Sequence, residues 1–232
     1  MKILIVSATE KEIFPIKSKL ITLQSNHSNL ISYQYNSLFV DVLITGIGSV
    51  FTTYSLTNHL NKTKYDLVIN AGIAGSFRSE INIGDVFIVL KDQFADLGIE
   101  DSQSFSTLFE KGFMLESEFP FTNSMLINST VLEYSFFKNI NEISAITVNT
   151  THGNVESSKR FKEKFNSDIE TMEGAAFFYV CIMQKVKFIQ IRAISNYVKE
   201  REKAKWNIPL AINNLNDKLF ELLIVLDKEQ KI

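Results

Sequence analysis

Leu67-Val-Ile-Asn-Ala-Gly-Ile-Ala-Gly75 opens on an apolar trio and closes on two glycines three positions apart. The trio reads as a buried strand and the tail as its carboxyl end, where backbone can approach backbone or ligand closely. Similar units recur on both sides of it. Ile3-Leu-Ile-Val6 predicts a buried strand followed by a helix to about residue 20. Leu30–Tyr35 and Leu38–Ile44 predict strands joined at Asn36-Ser37, and Gly46-Ile-Gly48 leads into a helix through Leu60. Residues 67–69, 85–90 and 143–148 supply further strands. A helix is expected over about 171–184, ahead of a strand at 188–194. The last helix, roughly 209–226, begins with Pro209, where the missing N–H costs least. Strand–helix alternation of this kind predicts an α/β sheet covered by helices. Ligands of such sheets sit beyond the carboxyl ends of the strands. That directs attention to residues 7–12, 45–49, 70–76, 149–154 and 194–198.

The 232 residues are 45% apolar, enough for one large domain spanning 1–232. A chain of this size buries on the order of 70% of its unfolded surface. Its 24 basic and 26 acidic residues leave a net charge of −2, which gives no electrostatic reason to bind nucleic acid or an anionic membrane. No apolar run approaches the ~20 residues of a spanning helix. The amino-terminal apolar run stops at Val6 and is followed by Glu10 and Glu12, unlike a signal peptide. Cys181 is the sole cysteine, so no internal disulfide forms, which fits a reducing cytoplasm. His27, His59 and His152 lack metal-ligand spacing, and neither a metal nor another cofactor is implied. The phosphate loop, the dinucleotide fingerprint and the G-x-S-x-G elbow are all missing, which disfavours a triphosphatase, a dehydrogenase and a serine hydrolase.

Several strand ends carry chemistry of their own. Five of the nine glycines fall between Gly46 and Gly84, either for tight packing or for close approach of a ligand. Thr9-Glu-Lys-Glu12 has capping-box spacing, so Glu12 can be a helix cap. Pro15 weakens that reading, and a carboxylate at the end of the first strand can equally polarise water. In Glu170-Thr-Met-Glu173-Gly-Ala-Ala176, Glu170 is read as a solvated first-turn acid favoured by the helix dipole. Glu173 precedes an apolar run, so its head is expected to face a cavity and accept from two hydroxyls. Ser195-Asn196, just beyond an apolar strand, is either a turn or part of a site.

In this order the segments resemble the purine nucleoside phosphorylase and nucleosidase superfamily. The resemblance runs from Met1 to about Leu226 and rests on five segments: Ala8-x-x-x-Glu12, Gly46-Ile-Gly48, Asn70-Ala-Gly-Ile-Ala-Gly75 with Ile83-Gly-Asp85, Met172-Glu173 and Arg192-Ala-Ile-Ser-Asn196. It implies a three-layer α/β/α sandwich around a partly closed mixed β-sheet, and cleavage or exchange of the N-glycosidic bond of nucleosides. Within the superfamily the chain looks most like the futalosine hydrolases of the alternative menaquinone pathway. Phe94-Ala-Asp-Leu-Gly-Ile-Glu-Asp101, Gln190-Ile-Arg-Ala-Ile-Ser-Asn-Tyr-Val198, Arg201 and Trp206-Asn-Ile-Pro-Leu-Ala-Ile212 carry that likeness. The nucleosidases for methylthioadenosine and S-adenosylhomocysteine resemble it almost as well over the first 90 residues, but carry Asp where this chain has Asn196. A nucleoside-binding protein without catalysis is a third reading.

The Asn196 difference has a chemical meaning. A 6-oxopurine presents N7 and O6, two adjacent acceptors, which an ionised carboxylate repels and amide N–H groups satisfy. The resemblance therefore implies hypoxanthine release, with Glu12 and Asn196 as the catalytic pair. Glu12 stands where phosphorylases hold phosphate, which implies water as the nucleophile. By resemblance Met172 and Glu173 hold the ribose, while Gly72, Ile73, Gly153, Asn154 and Ser195 flank the purine nucleoside. Relatives pair subunits beside the site, so a homo-oligomer is expected.

Overall fold

The computed structural model describes residues 1–27, 29–102, 104–129, 136, 140–199 and 206–229. Along the chain the elements are β1 (Lys2–Ser7), α1 (Glu10–Lys17), β2 (Ile21–His27), β3 (Leu30–Tyr35), β4 (Leu38–Ile44), α2 (Ser49–Leu60), β5 (Leu67–Ser76), β6 (Val86–Asp92), β7 (Gly98–Asp101), β8 (Ser104–Thr107), β9 (Leu126–Ile127), β10 (Glu142–Thr147), α3 (Val155–Phe165), β11 (Ile169–Thr171), α4 (Gly174–Met183), β12 (Phe188–Tyr197) and α5 (Ile208–Glu229).

β1 shows why the strands are so apolar. Ile3 and Ile5 point into one core with Ile13 and Ile16 of α1 and Leu215, Leu219 and Leu222 of α5. Leu4 and Val6 point the other way, into a core with Leu56 of α2 and Phe177 and Phe178 of α4. Alternate residues of a strand face opposite sides, so a strand covered on both sides reads as an unbroken apolar run. Each such side chain contributes roughly 1.5–3 kcal/mol on burial. The result is a three-layer α/β/α sandwich, as expected. A third cluster joins Phe161 and Phe165 of α3 to Phe77, Ile146 and Val148.

The strand order is β11-β10-β6-β12-β5-β1-β4-β3-β2, and β11 also pairs with β5. Five strands thus close into a ring, which makes the mixed sheet a partly closed one. β5 is the pivot. On one edge it pairs with β12 along its length, from Val68 to Ser76. On the other edge Leu67 to Asn70 pair with β1, whereas Gly75 and Ser76 pair with Glu170 and Ile169 of β11. Between Asn70 and Gly75 the edge forks, because β1 has left and β11 has not yet joined.

Several boundaries differ from the sequence reading. β5 and β12 run past 69 and 194, because their mutual register continues across the glycines and, after a bulge, pairs Asn196 with Gly75. The helix expected over 171–184 begins only at Gly174, since Ile169 and Thr171, both β-branched, are held in a strand between β10 and β5. α1 stops at Lys17 rather than near 20, with Ser18 as its C-cap. β2, β7, β8, β9 and α3 carry patterns too short or too polar to stand out in the sequence. No helix among the described residues is long and apolar enough to cross a membrane.

Candidate active site

A cavity of about 390 Å³ occupies the fork. Ile73, Ala74 and Gly75 of β5 line it, with Glu12 from the first turn of α1 and Met172 and Glu173 from just beyond β11. Ser195 and Asn196 arrive on β12, and Trp206, Ile208 and Ile212 border it from the start of α5. Strands that diverge leave room between them, and their polar ends line that room.

Glu12 is 7% exposed, and its two oxygens do different work. Oε2 accepts from the Thr9 backbone N–H at 3.0 Å and the Thr9 hydroxyl at 2.8 Å. Oε1 accepts from Ile73 N–H at 3.1 Å, a donor freed by the fork. Helix cap and cavity carboxylate, alternatives at the level of sequence, are one group.

Gly72 is not itself among the lining residues, yet it shapes the site. Its register partner is Arg192 of β12. A Cβ on Gly72 would lie 1.9 Å from Arg192 Nη1 and 3.0 Å from Glu12 Oε1, so the glycine makes space for a guanidinium. Arg192 is fully buried, its Nη2 3.8 Å from Glu173 Oε2. Its Nε and Nη2 have no hydrogen-bond partner among the described residues. The sequence places Arg192 in the Arg192–Asn196 segment that carries the resemblance, with no role of its own. A cation inside an apolar strand was the available signal.

Glu173 faces the cavity as expected and forms the N-cap of α4. Its Oε1 accepts from Gly48 N–H at 3.0 Å, which ties the Gly46-Ile-Gly48 turn to the site. Gly48 has φ +101°, a conformation side chains rarely adopt. Burial pushes the Glu173 carboxyl above its ordinary range, and the Glu12 charge adds to that. The Arg192 charge and the Gly48 N–H oppose it.

The Asn196 amide is oriented by its neighbours. Ser195 Oγ lies 2.8 Å from Asn196 Oδ1 and 3.2 Å from Ala74 O, so its single proton serves the nearer Asn196. Asn196 Nδ2 donates to Tyr197 O at 3.1 Å. A flip would set two oxygens against each other there. The expectation of two free N–H donors is thereby corrected to one.

Glu170 is a second correction. It is buried at 5% exposure rather than solvated, because it lies in β11 and not in a helical first turn. Its carboxylate accepts from His152 N–H at 3.1 Å and binds the His152 ring nitrogen Nδ1. His152 packs on Phe161 and, with Thr151, lines the cavity. The expectation for Gly153 and Asn154 shifts accordingly. Neither lines the cavity, and Asn154 instead caps α3 by accepting from Ser157 N–H at 2.8 Å. Arg201, one of the residues behind the futalosine hydrolase likeness, lies outside the described residues. Among the described residues no group of three or more His, Cys, Asp or Glu side chains is arranged to hold a metal ion.

Known nucleosidases resemble the chain over most of its length. The 5'-methylthioadenosine/S-adenosylhomocysteine nucleosidase of Buchnera aphidicola is 29% identical over 97% of this chain and 96% of its own. The enzyme of that name from Staphylococcus aureus is 28% identical over 83% and 85%. Among solved structures, futalosine hydrolase of Helicobacter pylori aligns with TM-score 0.81 at 18% identity, covering 96% of this chain and 97% of that one. A Colwellia psychrerythraea methylthioadenosine/S-adenosylhomocysteine nucleosidase in complex with adenine aligns with TM-score 0.76 at 20% identity, covering 94% and 93%. These structural likenesses speak for the fold, and a family model speaks for descent. Matched by that model over residues 2–224, the chain belongs to the phosphorylase superfamily.

Proposed function

We propose that the protein is an N-glycosidic hydrolase that releases hypoxanthine from futalosine, with water as the nucleophile. The observation that carries the hydrolytic reading is the charge of the cavity's polar end. Two buried carboxylates, Glu12 and Glu173, line it, with the Arg192 guanidinium buried behind Glu173. A phosphate nucleophile is repelled by that balance, whereas water is held and deprotonated by it. Glu12 Oε1 takes a proton from water as the oxygen attacks the anomeric carbon. The electron pair of the C–N bond leaves with the purine through an oxocarbenium-like state, and the departing base takes up a proton from solvent to become neutral hypoxanthine. Glu173, paired with Arg192 and Gly48, accepts from the ribose hydroxyls beside the developing cation, and Met172 covers the sugar.

Asn196 is compatible with that base. Its oxygen is engaged by Ser195, and its remaining Nδ2 hydrogen suits the acceptor edge of a 6-oxopurine. A second reading, cleavage of methylthioadenosine or S-adenosylhomocysteine, is favoured by the relatives at 28–29% identity. Val50, Phe51 and Tyr54, exposed on α2, support a homo-oligomer. The lone buried Cys181 fits the reducing cytoplasm.

One chromatographic assay tests these readings. Futalosine, inosine and methylthioadenosine are each incubated with and without phosphate. Hypoxanthine and a free sugar are expected from futalosine at a rate indifferent to phosphate. A ribose 1-phosphate product would overturn hydrolysis, and a clear preference for methylthioadenosine would replace the substrate.

A further inference from the structure

Pro15 lies inside α1, one turn beyond Glu12. A proline in a helix interior removes its own N–H and crowds the carbonyl four residues back, here that of Lys11. The next rung of the ladder pairs the Glu12 carbonyl with the Ile16 N–H. Asn216 of α5 bridges that rung. Ile16 N–H donates to Asn216 Oδ1 at 3.0 Å, and Asn216 Nδ2 donates to the Glu12 carbonyl at 2.8 Å. The other Nδ2 hydrogen goes to the carbonyl of Ile212 at 2.7 Å. Asn216 is 1% exposed, so both amide hydrogens are committed within the core.

We propose that Asn216 is a positioning residue for Glu12, an amide wedge that sets the turn of α1 carrying the catalytic carboxylate. The inference rests on Glu12 acting as the base. Glu12 is then held from both ends: its main chain by Asn216, its side chain by Thr9 and Ile73. Ile212, which shares the amide, lines the same cavity, so the wedge also ties the base to the α5 side of the site. A buried asparagine serving stability alone would need only to satisfy the Ile16 N–H and the Glu12 carbonyl. One serving position must hold Glu12 where a closed rung would not.

The two roles separate in a pair of variants, Asn216→Leu and Pro15→Ala/Asn216→Leu. Both are compared with wild type in melting temperature and in kcat and KM for whichever nucleoside is turned over. Asn216→Leu is expected to melt lower and to lose about 100-fold in kcat, the cost of a displacement of roughly 1 Å. KM should stay within about twofold, because substrate contacts are untouched. In the double variant the Glu12 carbonyl and Ile16 N–H can bond each other directly, so melting temperature returns while kcat stays low. Recovery of kcat together with melting temperature would overturn the proposal, and so would wild-type kcat in Asn216→Leu. If Asn216→Leu does not fold, the double variant measured against Pro15→Ala gives the same comparison. Glu12→Gln distinguishes the two levels of the argument. An inactive Glu12→Gln beside an active Asn216→Leu refutes only the wedge, whereas an active Glu12→Gln refutes the base and the wedge with it.

Discussion

Gly72→Ala adds one carbon at the most crowded point of the site. The new Cβ would stand 1.9 Å from Arg192 Nη1 and 3.0 Å from Glu12 Oε1. A comfortable carbon–nitrogen contact needs about 3.5 Å, so the guanidinium must retreat by about 1.6 Å. The atom that yields is the end of a flexible side chain, and the backbone of Gly72 is ordinary strand. The fold should therefore survive, with the ~1–3 kcal/mol loss usual for an overpacked core. Activity should not survive so well. Arg192 is the cation facing Glu173, and a shift of this size in a reacting constellation costs on the order of 10²-fold in rate. The assay is purine release at saturating substrate, beside a thermal melt on the same preparation. Turnover within about threefold of wild type in a folded Gly72→Ala protein would refute the reasoning that glycine here makes room for a catalytically placed arginine.

Asn196→Asp exchanges the one free N–H donor for an acceptor. Its activity on 6-oxopurine nucleosides should fall most steeply at high pH, and 6-aminopurine nucleosides should fare comparatively better. The ratio of kcat/KM for the two substrates across pH measures this, and an unchanged ratio would mean the residue does not read the purine edge. Asp92, beneath the start of α4, is pushed up to about 7 by burial, despite hydrogen bonds from Thr147, Gln190 and the Gln93 N–H and the Arg192 charge. The folded chain then holds a proton that the unfolded chain, near its ordinary value of 3.8, has already lost. The Asp92 contribution to stability is thus greatest in acid and is lost as pH rises from about 4 through 7, on the order of a few kcal/mol. Asp92→Asn should flatten that decline, with Gln190 and Asn70 flipping to accommodate the amide. Urea melts at pH 5 and pH 8 that change equally in both proteins would count against it.

The alternating apolar runs made the sandwich legible, because burial on both faces leaves a signature in composition that needs no partner to interpret. The glycines and carboxylates at the strand ends lie at or beside the cavity. Two kinds of information were out of reach. Glu12 could not be divided between cap and cavity from sequence, because only geometry shows one oxygen assigned to each. Glu170 was misread because a three-residue strand carries almost no periodicity, and it lies only three positions before the true helix start at Glu173 to Ala176. Arg192 was visible but unweighted. Its meaning depends on Gly72, which lies 120 positions away and becomes its neighbour only through the register of β5 with β12. Asn154 looked like a ligand contact and proved a helix cap, a role its residue type fills at least as often.

The fork in β5 also has a consequence in time. β1, β4 and the first half of β5 all lie within the first 76 residues and can pair as soon as those residues exist. The other boundary of the fork comes from β11 and β12, which end at Tyr197, and the bridge to Asn216 is made later still along the chain. A growing chain therefore holds Glu12 and Gly72 long before it has Glu173, Arg192 or Asn196 to set against them. Pairings so distant in sequence are slow to form. On refolding from denaturant, the return of helical signal should precede the return of turnover, since catalysis waits for the ring of strands to close.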